Sequence, residues 1–288
     1  MKHAMLIMCA VVLSINIAPG QMYVRGGVGY GLSLGSMVIG TNTTYSYIYP
    51  YSGTSHSSST SELVSGSFGR GMQISGAVGV TISNNLLAEL GMQYNLGQSF
   101  DLTRSSSSTS YSSPTSALGS TSSGTTTYKG TMLAVVPSLL VYTDLSDFSP
   151  FVRMGLSLSF PKLTVDHSST TVNTSGMNSS SAGKDELSGN MALGVTGGCG
   201  IMLKSSADLN FIAELTFANI SWGPGQDAWT STSTSGTTVT NSEGTVQYSD
   251  NMSTDSSSPP SPSGTTALRP RYPFGFLGLN VGIIYNIR

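Results

Sequence analysis

Apolar residues alternate with small or polar ones along eight separate stretches of the chain. A period of two assigns one residue set to each face of a β-strand. In the first stretch Met22, Val24, Val28, Tyr30, Leu32 and Leu34 oppose Arg25, Gly27, Gly29, Gly31 and Ser33. The second sets Met72, Ile74, Val78, Val80 and Ile82 against Gln73, Ser75, Ala77, Gly79 and Thr81, and the third sets Ala88, Leu90, Met92, Tyr94 and Leu96 against Glu89, Gly91, Gln93 and Asn95. The fourth, about Lys129 to Thr143, is apolar on both sides, and Leu133, Val135, Leu139 and Val141 are read as its outer set. Val152, Met154, Leu156, Leu158 and Phe160 oppose Arg153, Gly155, Ser157 and Ser159 in the fifth. The sixth, seventh and eighth run from Met191 to Leu203, Leu209 to Phe217 and Leu277 to Ile287, with Ala192, Thr196, Gly198, Glu214 and Asn280 among their polar or small sets.

The connections between stretches also fall into two kinds. Ser83 to Asn85, Asp144 to Asp147 and Ser205 to Asp208 are short polar turns. The other four, about 41–62, 103–127, 165–187 and 223–269, are long and rich in Ser and Thr. Tight turns at one end and long loops at the other predict an all-β protein, an eight-stranded antiparallel up-and-down transmembrane β-barrel with long extracellular loops. A ten-stranded form would arise if the fourth loop entered the bilayer as a hairpin.

Composition sharpens the choice of solvent. Only 9% of the 288 residues are charged, and the net charge is −2. Ser and Thr together number 83, and there are 34 glycines. A soluble barrel would show Lys and Glu on its wet face. Here the non-apolar face is Gly, Ser, Ala, Thr, Asn and Gln, which suits a narrow interior with the apolar face in lipid. A sheet in lipid must close on itself, because no water satisfies a free edge. The charge balance lacks the basic cluster of a nucleic-acid binder. Tyr30, Tyr94, Phe160, Phe217 and Phe274 near the long-loop ends, with Tyr285 near the other, are read as aromatic girdles.

The start of the chain reads as a leader. Lys2 and His3 precede an apolar run from Ala4 to Val12, and Ala18-Pro19-Gly20 offers small residues before a cut at Gln21. Residues 1–20 are therefore expected to be a signal peptide and 21–288 the barrel. Cys199 is then the single cysteine of the mature chain.

Three stretches, MYVRGGVGYGLSLG, LAELGMQYNLG and FLGLNVGIIYNI, together with the leader, make the chain resemble the small outer-membrane β-barrel family. That family includes porin-like, opacity-type and attachment-invasion-type surface proteins of Gram-negative bacteria. The resemblance covers nearly the whole mature chain. Its final strand usually ends in an aromatic residue; Ile287 stands there instead, followed by Arg288. The resemblance implies an outer-membrane location with both termini periplasmic, the barrel-assembly machinery and outer-membrane lipid as partners, and host or environmental ligands met by the loops.

Candidate chemistry is sparse. Arg25, Glu89, Arg153 and Glu214 all fall on inward faces, predicting a paired charge network with Gln73, Gln93 and Asn280 beside it. Tyr45, Tyr47, Tyr49 and Tyr51 occupy every second position of the first loop and form a candidate aromatic surface or a strand extension. Thr237 to Tyr248 alternates around Asn241-Ser242-Glu243-Gly244 and suggests a hairpin; Pro259, Pro260 and Pro262 then favour an extended stretch. Asp227, Glu243, Asp250 and Asp255 are scattered without the ligand spacing of a calcium loop. His56 and His167 lie in long loops among abundant serines. No catalytic residue, cofactor site, metal site or nucleic-acid partner is assigned. The expected role is a non-enzymatic structural, adhesion or surface-interaction protein. A narrow porin for small solutes is the alternative, and an outer-membrane enzyme with a loop-borne site the third reading.

Overall fold

The computed structural model describes residues 22–34, 38–113, 116–145, 147–174, 176, 178–206, 208–250 and 265–287. The expected leader lies outside these residues, as do Asp255, Pro259, Pro260, Pro262 and Arg288. The architecture is all-β, with no helix among the described residues. Its strands are β1 (Met22–Ser33), β2 (Val38–Tyr49), β3 (His56–Ser65), β4 (Gly71–Ser83), β5 (Leu86–Gly97), β6 (Phe100–Ser113), β7 (Ser116–Tyr142) and β8 (Phe148–Asn173). They continue as β9 (Asn178–Ser188), β10 (Ala192–Lys204), β11 (Leu209–Trp222), β12 (Gln226–Ser235), β13 (Thr238–Ser249), β14 (Thr265–Leu268), β15 (Tyr272–Pro273) and β16 (Phe276–Ile287).

Eight of these strands form a ring. Antiparallel pairing runs β1–β4–β5–β7–β8–β10–β11–β16 and returns to β1, where Met22 faces Ile287 and Ser33 faces Phe276. These are the eight alternating stretches of the sequence. Their apolar sets point outward, from Met22 and Val28 on β1 to Met154 on β8 and Leu279 on β16. β7 follows the same rule, with Leu133, Leu139 and Val141 outward and Met132, Ala134, Val136 and Leu140 buried.

The four long connections are not solvated loops. Residues 41–62 form most of β2 and β3, 103–127 most of β6 and the start of β7, 165–187 the end of β8 and most of β9, and 223–269 hold β12, β13 and β14. β7 and β8, 27 and 26 residues long, run without a break from the ring into a wall above it. At ~3.3 Å per residue each reaches about 85 Å. The wall's strand order is β3-β2-β6-β7-β8-β9-β12-β13-β14. Cross-strand hydroxyl pairs hold it where apolar contrast is missing: Ser108 to Ser120 at 2.7 Å, Ser122 to Thr171 at 3.1 Å and Ser169 to Ser181 at 2.8 Å. The fourth hairpin turns at Gly236-Thr237, with Gly236 at φ +58°, and not at Asn241 to Gly244, which lie inside β13. A left-handed backbone at the turn favours Gly236 over the Asn-Ser-Glu-Gly segment.

The interior is filled in layers. At the short-turn end Tyr23, Leu87, Leu140, Phe151, Met202, Ile212 and Ile284 pack together. At the wall end Phe68, Met132, Leu163, Trp222, Phe274 and Phe276 form a second apolar cluster. Phe68 and Phe274 arrive on chain segments that fold across the ring, tied by Phe68 N–H to the Pro273 carbonyl at 2.9 Å and by Ser67 Oγ to the Gly275 carbonyl at 2.5 Å. Phe274 is thus fully buried rather than part of an outward girdle. Tyr30, Tyr94, Phe160, Phe217 and Tyr285 are on the outer face.

Candidate functional site

Between the two apolar layers lie the four inward charges. Their strands, β5, β1, β11 and β8, alternate around the ring with β4, β16 and β10 between them. Each ion pair therefore bridges over a strand. Arg25 Nη2 lies 3.1 Å from Glu89 Oε2, Arg25 Nη1 3.2 Å from Glu214 Oε2, and Arg153 Nε 2.8 Å from Glu214 Oε1. Two cations and two anions cancel. The Tyr23 hydroxyl donates to Glu89 at 2.9 Å, and Ser138 Oγ donates at 3.5 Å. Such pairing is what lets charge stay inside a low-dielectric space.

Small residues on the intervening strands make the room. A Cβ at Gly198 on β10 would overlap the Glu214 carboxylate, and one at Gly79 on β4 would overlap the Tyr23 ring. The glycines of the inward faces are thus partners of the large polar side chains across from them.

The polar neighbours divide. Asn280 Nδ2 donates to Thr216 Oγ1 at 2.7 Å. Gln93, Asn280, Arg25, Arg153 and Glu214 border a void of about 20 Å³, about the size that holds one water. Gln73 is buried, yet its amide has no hydrogen-bond partner and does not join the network. Tyr23 is the member that sequence reading missed; its parity with Arg25 was the available signal. A larger recess of about 160 Å³ opens at the short-turn end beside Tyr23, Tyr142, Asp144 and Lys204.

On the wall, Tyr45, Tyr47 and Tyr49 form a ladder on one face of β2. Ring centroids are 6.1 and 6.4 Å apart, with planes 14° and 9° from parallel. The Arg104 guanidinium sits 5.3 Å from the Tyr45 centroid, a cation–π contact that the spacing of the tyrosines did not announce. Tyr51 lies beyond the end of β2 and is exposed.

The acids of the wall behave in two ways. Lys162 and Lys184 donate to Glu186 at 2.8 and 2.7 Å and hold its carboxyl down to about 2. Burial raises Asp185, opposed by His167, whose Nδ1 is 3.9 Å away, and helped by Asp166. Burial also raises Asp227, with Asp185 adding to the rise and a Tyr248 hydrogen bond opposing it. His56 stands on β3, exposed. Among the described residues no three His, Cys, Asp or Glu side chains are placed to hold one metal ion. Asp227 and Glu243 are on β12 and β13, and Asp250 pairs with Arg269 at 2.6 Å.

No protein-family model matches this chain, and no curated protein matches it either.

Proposed function

We propose that the chain is an integral outer-membrane protein of a Gram-negative bacterium, akin to the opacity-type and attachment-invasion-type barrels. Its eight-strand ring would cross the bilayer, and its hydroxyl-rich wall would stand outside the cell as a surface for adhesion or other contacts. The observation that carries this reading is the closed ring with its apolar residues outward and its only buried ion pairs, among the described residues, inward. From Met22 to Leu32 the outward set of β1 extends about 33 Å along the strand. At the ~40° tilt of such strands that is about 25 Å of depth, the height of a lipid-facing band. A water-exposed apolar belt of this extent would drive aggregation.

In this orientation both ends of the ring, Met22 and Ile287, lie on the periplasmic side. The barrel-assembly machinery and outer-membrane lipid are the partners this implies. The filled interior supports a structural, non-enzymatic role over a solute path, since apolar layers lie on either side of the charges.

Heat-dependent mobility of membrane-extracted protein, combined with protease treatment of intact cells, tests the reading. The expected result is a faster-running unboiled form and cleavage within the wall alone. Absence of both the heat shift and the surface cleavage would reject it.

A further inference from the structure

Among the described residues the wall has a free edge at β3. Its one partner there is β2, so along its other side no described strand meets the backbone groups. Edge strands are normally guarded by Pro, Lys, bulges or shortness. β3 has none of these: it is ten residues, HSSSTSELVS, and nine of the ten are exposed. At the opposite edge β14 is four residues long and is followed by Arg269, Pro270 and Arg271. The unpaired part of β13 holds Asn241, Glu243 and Gly244, with an acid but no base to mate it.

We propose that β3 pairs antiparallel with β3 of a second copy of this chain, centred on Ser59. Two copies present the same edge, so the numbers of opposed residues must sum to an even value. Centring on Ser59 opposes His56 to Glu62 twice over, with Ser57 to Ser61 and Ser58 to Thr60 between them. Neighbouring even registers place His56 opposite Thr60 or Val64 and lose both imidazole–carboxylate pairs. His56 and Glu62 share a face of β3, because they oppose Ile48 and Asn42 on β2. Directly opposed residues of antiparallel strands also share a face, which lets the two meet.

The two-fold axis of an antiparallel pair is perpendicular to its sheet. The wall continues the ring strands upright, so the axis lies in the membrane plane and the second copy is inverted. Resting on the membrane reading above, the pairing therefore joins copies on two facing membranes. The dimensions allow it. Ser59 is level with Ser122 of β7 through Tyr45 and Ser106. Ser122 is eight residues from Gly130 in the ring and six from Ser116 at the tip of β7. The tip of the inverted copy therefore stops short of the first copy's ring.

The test has a soluble arm and a cellular arm. Purified full-length protein in detergent, with Ser59→Cys in a Cys199→Ala background, should give a disulfide-linked dimer on mild oxidation. Ser65→Cys, opposed to Gly53 rather than itself, should not. Opposed Cα atoms in antiparallel strands fall within disulfide range. No dimer from Ser59→Cys, or equal dimer from Ser65→Cys, overturns the pairing.

Cells bearing the unaltered protein should clump, and cells bearing His56→Glu or Glu62→Lys should each clump less, because the first opposes two carboxylates at both ends and the second leaves the imidazole without its carboxylate partner. Mixed together, the two populations should clump again. Clumping of either variant alone at the unaltered level, or no rescue on mixing, overturns the facing-membrane arrangement. A dimer that forms in detergent while the protein shows no heat shift would count against the membrane reading and not against β3 pairing.

Discussion

Arg25 Nη1 lies 3.2 Å from Glu214 Oε2 across 189 positions of sequence, with β16 between their strands. The same carboxylate holds Arg153, so Glu214 is the hinge of the network. Glu214→Gln should cost about 3–5 kcal/mol, the penalty for stranding a buried charge. Urea unfolding of the refolded protein in lipid vesicles measures it. Arg25→Gln combined with Glu214→Gln should cost less than the two single changes added together; simple additivity would show that the pair is not coupled.

Gly198 serves the same carboxylate by its emptiness. Gly198→Val places a side chain where Glu214 now lies. Refolding yield, read from the heat-shifted band, should fall steeply. Gly176→Ala, at a turn with φ +81°, meets no such overlap and should cost only the left-handed backbone penalty of about 1–2 kcal/mol.

Two outward positions on one strand should respond differently to charge. Met154, in the ring part of β8, is 69% exposed, and Val172, near its far end, is 51% exposed. Met154→Arg should destabilise by about 2–4 kcal/mol if that part faces lipid, while Val172→Lys stays near neutral. Equal small effects in vesicle unfolding would mean that both positions are wet.

The wall should have its own pH response. Asp185 and Asp227 titrate above the usual Asp range because of burial, so the folded wall binds protons more readily than the unfolded chain. Their contribution to stability therefore grows as pH falls from neutral through their raised values. Glu186 has the opposite sign: its stabilisation is complete above the ordinary Glu range and is lost as pH drops toward about 2. Protease resistance of the wall should peak in mildly acidic solution. Asp227→Asn should raise resistance at neutral pH and flatten the acid-side rise; an unchanged profile would contradict the assignment.

Much of the ring was legible because its outer and inner faces carry contrasting chemistries on alternate residues. Arg25, Glu89, Arg153 and Glu214 declared the inward face, and Leu279, Val281 and Ile283 the outward one. The wall was legible only in part: the alternating tyrosines suggested a strand extension and Thr237 to Tyr248 a hairpin, and these lie in β2 and in the β12–β13 hairpin, but the rest read as loops. Ser108, Ser120 and Ser122 carry no apolar contrast, so a strand with hydroxyls on both faces reads like a loop. Its order comes from hydroxyl pairs and from continuity with β7 and β8, which are tertiary facts. Phe274 was misplaced for a related reason. Alternation does not reveal that a segment leaves the wall and folds across the ring.

Cys199 reports directly on whether the outer face of the ring lies in lipid. It lies midway along β10, points out of the ring and is exposed. In intact outer membranes a membrane-impermeant maleimide should leave it unmodified, and label should appear only after the protein is unfolded. Rapid, complete labelling of Cys199 in the native membrane would mean that the apolar belt faces water, and the account would fail.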